Sequence, residues 1–191
     1  MGVTEQPTKR NRTRQRILET AFELFETHGY DRTTTAQIAA TAVVSEMTLF
    51  RHFASKDRLL LDDPYDPLIA EAVAAQPPAM PALARVTAGV RVAWRTVPGP
   101  AEEAVRRRMR IAARTPGLTG AIRANTSATE NAIAQALTDT GADPTVAQIA
   151  AAATLAALME SLTAWAVTDD PGPLDDAIRL ALDVLDRTVT R

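Results

Sequence analysis

The chain has 191 residues, a formal net charge of −2 and no cysteine, so disulfides and thiolate metal sites are excluded. Apolar residues make up 46% of the sequence and aromatic residues only 4%, with alanine dominant, a composition that favours closely packed helices over sheets. No uncharged apolar run is long enough to span a membrane, and the first residues lack the apolar core of a signal peptide, so we expect a cytoplasmic protein without a membrane partner.

Positive charge is concentrated at the start of the chain. Five cations fall between Lys9 and Arg16, and residues 1–60 carry nine cations against seven anions, whereas the remainder carries twelve against sixteen. A basic segment on an acidic body indicates a separate electrostatic role for the N-terminus, although a solvated tail has the same pattern. We predict a flexible basic arm over residues 1–12.

The first predicted elements are short helices with clear start signals. Apolar residues at helical spacing predict an amphipathic helix over 13–28, which Gly29 ends. Thr34 and Gln37 form a capping box that starts a helix through about Thr41. Ser45 is the N-cap of the next helix, through roughly residue 52, and Ser55 of a fourth. Two short helices this close are typical of a helix-turn-helix, although an ordinary helical hairpin has the same pattern.

Five further helices are predicted by apolar spacing and by proline and glycine breaks, over 81–97, 101–114, 118–139, 144–168 and 174–189. Asp143 followed by Pro144 is a strong start signal. Pro64 and Pro67 interrupt the fourth helix, where we expect a kink or a break. The sequence therefore predicts an all-α protein of about nine helices, with a three-helix helix-turn-helix domain over 13–60 and a second helical domain over 61–191.

One set of residues over about 13–60 agrees in register with a known pattern: Gln15, Arg16, Ile17, Leu18, Ala21, Leu24, Phe25, Gly29, Tyr30, Thr33, Thr34, Thr35, Ile38, Ala39, Val44, Ser45, Thr48, Leu49, Phe50, His52, Phe53, Lys56 and Leu59. This combination resembles the DNA-binding domain of TetR-family transcriptional regulators. The resemblance implies a homodimeric repressor of a palindromic operator in double-stranded DNA, released when a small, largely apolar effector enters the C-terminal domain.

The resemblance also implies roles for individual residues. Phosphate contacts are expected from helix starts, from the end of the second helix and from the basic arm, through Thr35, Ser45, His52, Lys56, Arg10, Arg12 and Arg14. Base contacts are expected from Glu46, Met47 and Thr48, in which Glu46 suits a cytosine amino group and Met47 a thymine methyl. A structural role at the end of the recognition helix is an equal alternative for His52.

Three positions depart from the family pattern inside the helix-turn-helix. Met47 stands where the family often has glycine or another small residue, so it would reach into the groove as an apolar contact. The turn, where the family usually has glycine, contains Val43, and a β-branched residue with positive φ is strained. We therefore expect this turn to be closed differently. Phe50 replaces the phosphate-binding tyrosine of the family, so its hydroxyl contact is lost and only packing against the sugar–phosphate edge remains.

The second domain is expected to provide dimerisation and sensing. Alanines over residues 144–168 and an apolar stripe on the last helix, Leu174, Ile178, Ala181, Leu182 and Leu185, predict a four-helix dimer seam from the last two helices of each subunit. Burial of the same residues inside one subunit is the alternative. We predict that the ligand contacts large or soft side chains and two arginines, which suit an anionic group: Trp94, Met109, Met159, Trp165, Arg91 and Arg110. The alternatives are that the large side chains belong to the core and that the arginines lie on the solvated surface.

An enzyme is the main alternative class. Asp62-Asp63-x-x-Asp66 matches the aspartate motif that holds magnesium and diphosphate in terpene synthases and prenyltransferases. Those folds need a far longer helical chain, and no second aspartate cluster faces this one, so we expect no catalytic site, metal or cofactor. A family member that acts only as a non-DNA-binding scaffold is the other alternative, against which Thr48, His52 and Lys56 speak.

Overall fold

The computed structural model describes residues 8–62, 66–96 and 102–189. Over these residues helices are the only regular elements, which confirms the all-α prediction. The first four are α1 (Lys9–His28), α2 (Thr35–Thr41), α3 (Glu46–His52) and α4 (Arg58–Leu61). They are followed by α5 (Asp66–Ala74), α6 (Ala82–Thr96), α7 (Glu102–Ala113), a 3-10 turn (Pro116–Leu118), α8 (Thr119–Asp139), α9 (Pro144–Val167) and α10 (Leu174–Val189).

The first helix begins four residues earlier than predicted, at Lys9. The hydroxyl of Thr8 accepts a hydrogen bond from the backbone N–H of Asn11 at 3.3 Å and so caps the helix. Arg10 and Arg12 therefore lie on α1, and the prediction that they belong to a flexible arm is wrong. Residues 1–7 of the predicted arm lie outside the described residues.

The helix-turn-helix is built from the two predicted caps. The Thr34 hydroxyl accepts from the backbone N–H of Gln37 at 3.2 Å, and the Gln37 side chain accepts from the backbone N–H of Thr34 at 2.8 Å. The Ser45 hydroxyl accepts from the N–H of Thr48 at 3.1 Å and starts α3. Ile38 and Leu49, both fully buried, join α2 and α3 to α1.

The turn between α2 and α3 keeps the left-handed conformation despite its valine. Val43 has a φ of 53°, so the prediction that this turn is closed differently is wrong. Its side chain is 83% exposed, and its branched methyl groups therefore meet little of the neighbouring protein. The strain of the left-handed conformation stays in the backbone of the turn.

The predicted cap at Ser55 is wrong, because the chain makes a turn there and α4 begins only at Arg58. The predicted break is confirmed, since α4 ends at Leu61 and the next helix starts at Asp66. Pro67 lies in the first turn of α5. Backbone N–H groups in the first turn of a helix have no acceptor within the helix, so a proline there does not interrupt it. This split accounts for ten described α-helices instead of nine.

The second helical region is arranged around α9, which packs against α6, α7, α8 and α10. The carboxylate of Asp143 accepts from the N–H groups of Thr145 and Val146 at 2.9 and 3.0 Å, as its capping position predicts. By length and composition α9 could cross a membrane, but its contacts with four helices are those of a core helix. Gly89 lets α6 approach α5, because a Cβ there would lie 2.8 Å from the Cα of Val73.

Candidate DNA interface and ligand cavity

The recognition helix α3 buries one residue, Leu49, and turns the rest of its surface outward. Met47 is 80% exposed and Phe50 is 46% exposed. The hydroxyl of Thr48 lies 2.9 Å from that of Ser45, so both are held at the start of the helix. The predicted base-reading residues Glu46, Met47 and Thr48 are therefore not buried in the subunit, and their contact with bases stays a prediction.

A cationic groove of about 600 Å³ separates α3 from the beginning of α1. Its walls are Lys9, Arg10, Thr13 and Arg16 of α1 and Val44, Thr48, Arg51 and His52 from the recognition helix and the residue before its cap. Lys9, Arg16 and Arg51 were missing from the predicted interface. The signal was the spacing of Lys9, Thr13 and Arg16, which lie on one face once the helix starts at residue 9. The groove offers guanidinium and ammonium groups to phosphate oxygens.

Arg14 connects α1 to the far end of the recognition helix. Its Nη1 donates to the backbone carbonyl of His52 at 3.3 Å, and its Nη2 donates to Asp62 at the same distance. Its guanidinium lies over the ring of Phe53, 4.3 Å from the centroid. Arg14 lies within α1, so the prediction that it belongs to a flexible arm is wrong, whereas its contact with DNA stays a prediction; its bonds are those of a positioning residue.

The imidazole of His52 lies among three arginines. Burial, followed by the charges of Arg10, Arg51 and Arg14, lowers the pKa of His52 below its ordinary value of 6.5. The ring is consequently neutral at pH 7 without DNA. A phosphate beside it would reverse the local field, because a negative charge favours the imidazolium form.

Lys56 is tied to the protein at the turn between α1 and α2. Its ammonium donates to the carbonyls of Tyr30 and Thr33, both at 3.1 Å, and lies 4.1 Å from the centroid of the Tyr30 ring. Burial, aided by a hydrogen bond to Asp57, raises the pKa of the Tyr30 hydroxyl. Because an ammonium has three donors, two carbonyls do not exhaust it, and a phosphate contact remains compatible with this position.

Thr35 and Glu46 face each other across the turn. The Thr35 hydroxyl donates to the Glu46 carboxylate at 3.4 Å, a long bond between two exposed groups. A phosphate at Thr35 would have to displace this carboxylate. The pair therefore places a negative charge on the side of α3 away from the cationic groove.

A cavity of about 140 Å³ lies between α4, α7, α8 and α9. Its wall is mostly apolar, with polar groups contributed chiefly by α8: Leu60, Leu61, Arg108, Met109, Ala112, Ile122, Asn125, Thr126, Thr129, Leu155 and Met159. Of the predicted ligand residues, Met109 and Met159 line it. The arginine at the wall is Arg108, whereas Arg110 turns away and donates its Nε to the carbonyl of Ala166 at 2.8 Å.

The other predicted ligand residues do not line this cavity; Arg91 and Trp94 instead line a second pocket of about 190 Å³ between α6 and α10. The Trp94 indole donates to Asp175 across the contact between α6 and α10. Arg91 forms ion pairs with Asp183 and Asp186 at 2.6 and 3.0 Å. The buried indole of Trp165 donates to the carbonyl of Gly172 at 2.8 Å. These side chains hold helices together because their polar ends find partners on neighbouring elements.

The last two helices carry an exposed apolar face that differs from the predicted stripe. Leu174, Ile178, Ala181 and Leu182 are buried inside the single subunit. The prediction that this stripe forms the dimer seam is therefore wrong, and the alternative, burial within one subunit, is confirmed for these residues. Five large side chains of α9 and α10 are instead more than half exposed: Val146, Ile149, Val167, Leu180 and Val184. Apolar side chains left exposed on two adjacent helices are available to a protein–protein contact.

The aspartate motif does not assemble a metal site over the described residues. Asp62 forms ion pairs with Arg14 at 3.3 Å and Arg58 at 3.7 Å. Asp63 and the side chain of Asp66 lie outside the described residues. Within residues 8–62, 66–96 and 102–189, no three His, Cys, Asp or Glu side chains are grouped to hold a metal ion.

Two curated relatives match a little more than a quarter of the chain. The HTH-type transcriptional regulator TcmR of Streptomyces glaucescens is 47% identical over 53 residues, which are 28% of this chain and 24% of TcmR. The nucleoid occlusion factor SlmA of Escherichia coli O1:K1 / APEC is 44% identical over 55 residues, 29% of this chain and 28% of SlmA. The chain thus covers about a quarter of the length of these relatives.

Solved structures match nearly the whole fold. SmeT, the repressor of the Stenotrophomonas maltophilia multidrug efflux pump SmeDEF, aligns with a TM-score of 0.57 at 23% identity and covers 96% of this chain and 90% of its own. NalD, the secondary repressor of the MexAB-OprM multidrug efflux pump in Pseudomonas aeruginosa, aligns with a TM-score of 0.53 at 21% identity over 92% of this chain and 94% of its own. At this level of identity the likeness establishes the fold alone.

Two family models cover most of the chain. The model for bacterial regulatory proteins of the tetR family matches residues 17–62, and the model for the MftR C-terminal domain matches residues 80–190. The first match contains the caps, the strained turn and the recognition helix, and the second contains α7, α8 and α9 with most of the cavity wall. The chain belongs to the TetR family of DNA-binding transcriptional regulators.

Proposed function

We propose that this regulator is a dimeric repressor that binds a palindromic operator and leaves it when a small ligand enters the cavity. The observation that carries this proposal is a polar relay from the cavity wall to the recognition helix. The Asn125 side chain at the wall accepts from Arg58 at 3.0 Å, and Arg58 lies 3.7 Å from Asp62. Asp62 accepts from Arg14, which donates to the carbonyl of His52, the last residue of α3.

The relay supports ligand control because three of its four contacts join different helices. It runs from α8 to α4, from α4 to α1 and from α1 to α3. A ligand that hydrogen-bonds Asn125 competes with Arg58 and loosens α4, and α1 and α3 then lose their fixed angle. The ligand shifts the equilibrium only by its differential affinity for the two states, typically about 1–3 kcal/mol.

The cavity favours a small and largely apolar ligand. Its volume of about 140 Å³ is near that of an engineered cavity of about 150 Å³ that accepts benzene. Leu60, Met109, Leu155 and Met159 would cover the apolar part. Arg108 at the wall suits a carboxylate, which an arginine can bind at two oxygens. A small aromatic acid has both properties.

The exposed face of α9 and α10 supports the dimer. Covering its apolar side chains with a second copy removes them from water and leaves a twofold axis between two recognition helices. Such helices are expected about 34–36 Å apart, one turn of duplex, so that both enter the same side of the DNA. A dimer on two successive grooves occupies the duplex and excludes polymerase from an overlapping promoter.

Selection from a random duplex library tests the proposal. The expected result is a palindromic site that the purified protein binds as a dimer, with an affinity that falls as salt rises. Benzoate should weaken this binding and raise the melting temperature, while toluene, which lacks the carboxylate, should act less. Met159→Trp, which fills the cavity, should make binding insensitive to benzoate. Recovery of no preferred site would favour the scaffold alternative, and magnesium-dependent diphosphate release from a prenyl substrate would favour the enzyme.

A further inference from the structure

A second groove lies where the helix-turn-helix region meets the other helices. It measures about 510 Å³ and is bounded on one side by the end of α1 and the loop before α2, and on the other side by the end of α7. We call it the α1–α7 groove. No residue that lines it also lines the cationic groove or the cavity of about 140 Å³. The proposed operator contacts and the proposed ligand therefore leave this groove without a function.

Three arginines line the α1–α7 groove from both sides. Arg32 belongs to the loop before α2, Arg110 to the last turn of α7, and Arg114 directly follows α7. Over the part of the chain that the structure describes, none of the three forms an ion pair. Guanidinium groups around one space repel one another, and an anion between them would remove that repulsion.

Arg110 is held in place before any ligand arrives. Its Nε donates to the carbonyl of Ala166 at 2.8 Å, and its side chain is only partly exposed. This bond uses one of the five N–H donors of the guanidinium group, so four donors are left for other acceptors. A side chain that is already oriented loses less conformational entropy when it binds an anion.

The two carboxylates of the groove do not neutralise these arginines. Glu26 is bound at two points by Arg107, which lies outside the groove. An oxygen of Asp31 lies 3.3 Å from the position that a Cβ on Gly117 would take, so this carboxylate rests against the 3-10 turn after α7. It can still accept a hydrogen bond from a hydroxyl group. The groove thus combines three cations with one acceptor.

We propose that the α1–α7 groove binds a diphosphate ester that carries free hydroxyl groups, with its phosphates among the three arginines and a hydroxyl on Asp31. Arginine binds pairs of phosphate oxygens, which two adjacent phosphates supply. The volume of about 510 Å³ is more than three times the roughly 150 Å³ that accepts benzene, so an organic group fits beside the phosphates. The bound ligand would bridge the loop before α2 and the end of α7. Its effect on operator affinity rests on the proposed function.

Calorimetric titration of the DNA-free protein with ADP and with inorganic pyrophosphate, at fixed salt and without metal ions, tests the inference. We expect one site per subunit for both probes, and affinities at least about tenfold lower in Arg32→Gln and in Arg114→Gln, because each loses a charged contact. Both arginines are exposed, so these variants should stay folded. Binding of neither probe, or unchanged binding in both variants, would overturn the inference.

Further variants locate the site. Arg95→Gln on α6 removes an exposed arginine outside the groove and should leave both affinities unchanged. Asp31→Ala should weaken ADP relative to pyrophosphate, which has no hydroxyl of a sugar. An equal loss in Arg51→Gln would place the anion in the cationic groove and overturn the assignment. Because these titrations contain no DNA, failure to select an operator would count against the proposed function alone.

Discussion

Arg107 of α7 and Glu26 of α1 form a two-point ion pair, with Nε to Oε1 at 2.9 Å and Nη2 to Oε2 at 2.7 Å. The remaining Nη1 donates to Glu19 at 2.5 Å, about two helix turns along α1 from Glu26. The hydrogen bond to Glu26 raises the pKa of Arg107 above its ordinary value, against the effect of burial. One residue further, Arg108 lines the cavity, so this pair joins the cavity wall to α1, which packs against the helix-turn-helix.

Arg107→Ala is expected to lower the free energy of unfolding by about 1 kcal/mol, because both carboxylates are largely exposed and screened. Arg107→Lys should recover less than half of this, since lysine cannot bind two oxygens in the same geometry. Urea denaturation measures both. The control is Arg179→Ala, which removes an exposed pair with Asp176 inside α10. Equal losses in Arg107→Ala and Arg179→Ala would contradict a special role for the contact.

The relay predicts that Asp62→Asn weakens operator binding without ligand by about two- to fivefold, the range of a partly exposed ion pair. The cause is a less fixed Arg14 and hence a less fixed end of α3. Fluorescence anisotropy with the selected operator measures the effect, and Asp139→Asn at the exposed end of α8 is the control. Unchanged affinity in Asp62→Asn would remove the relay as the link between cavity and DNA.

The pKa of His52 predicts the direction of a pH effect on DNA binding. The free protein has a lowered pKa and a neutral ring, and a phosphate at the ring would raise that pKa, so binding takes up a proton. Operator affinity should therefore rise as the pH falls through the interval between the free and bound pKa values. His52→Gln should abolish this rise and His28→Gln, at the other histidine of the chain, should keep it. The same slope in His52→Gln would show that another group titrates.

Val43→Gly is expected to increase the free energy of unfolding by about 1 kcal/mol, because glycine adopts a positive φ without the Cβ clash that costs roughly 1–2 kcal/mol in other residues. Val43→Ala keeps the Cβ and should therefore increase the free energy of unfolding much less than Val43→Gly does. Thermal and urea unfolding compare the three proteins. A stability equal to or below that of the valine protein would mean that the turn is not strained.

The exposed face of α9 and α10 predicts that Leu180→Glu produces a monomer. A carboxylate in the centre of an apolar contact would be desolvated without a partner, so the dimer should dissociate while the subunit stays folded. Sedimentation equilibrium gives the mass, and operator affinity should fall at least a hundredfold with it. Val92→Glu on α6 is the matched control. A Leu180→Glu protein that remains dimeric would move the interface to another surface.

The helix-turn-helix was predictable because its signals are local. Thr34 with Gln37, and Ser45 before the recognition helix, satisfy backbone groups within three residues of themselves, so spacing along the chain determines the contact. The start of α1 was missed for a related reason, since Thr8 is a cap whose following residues are basic and resemble a solvated arm.

The sensing residues were not predictable in the same way. Arg107, Arg108 and Arg110 lie close together on α7. Because successive positions of a helix point about 100° apart, the three side chains point in different directions. One binds α1, one lines the cavity and one caps a carbonyl of α9. Which does which depends on the neighbouring helices. The same holds for Trp94, whose partner Asp175 is 81 residues away.

The exposed apolar side chains of α9 have a consequence for gene control. One side of the helix is covered by its own subunit, while Val146, Ile149 and Val167 are more than half exposed in the single subunit. With a dimer as the binding species, operator occupancy at low expression rises with the square of subunit concentration. Halving synthesis then removes about three quarters of the active species by mass action. A surface on one helix therefore sets how steeply a promoter responds to the dose of its regulator's gene.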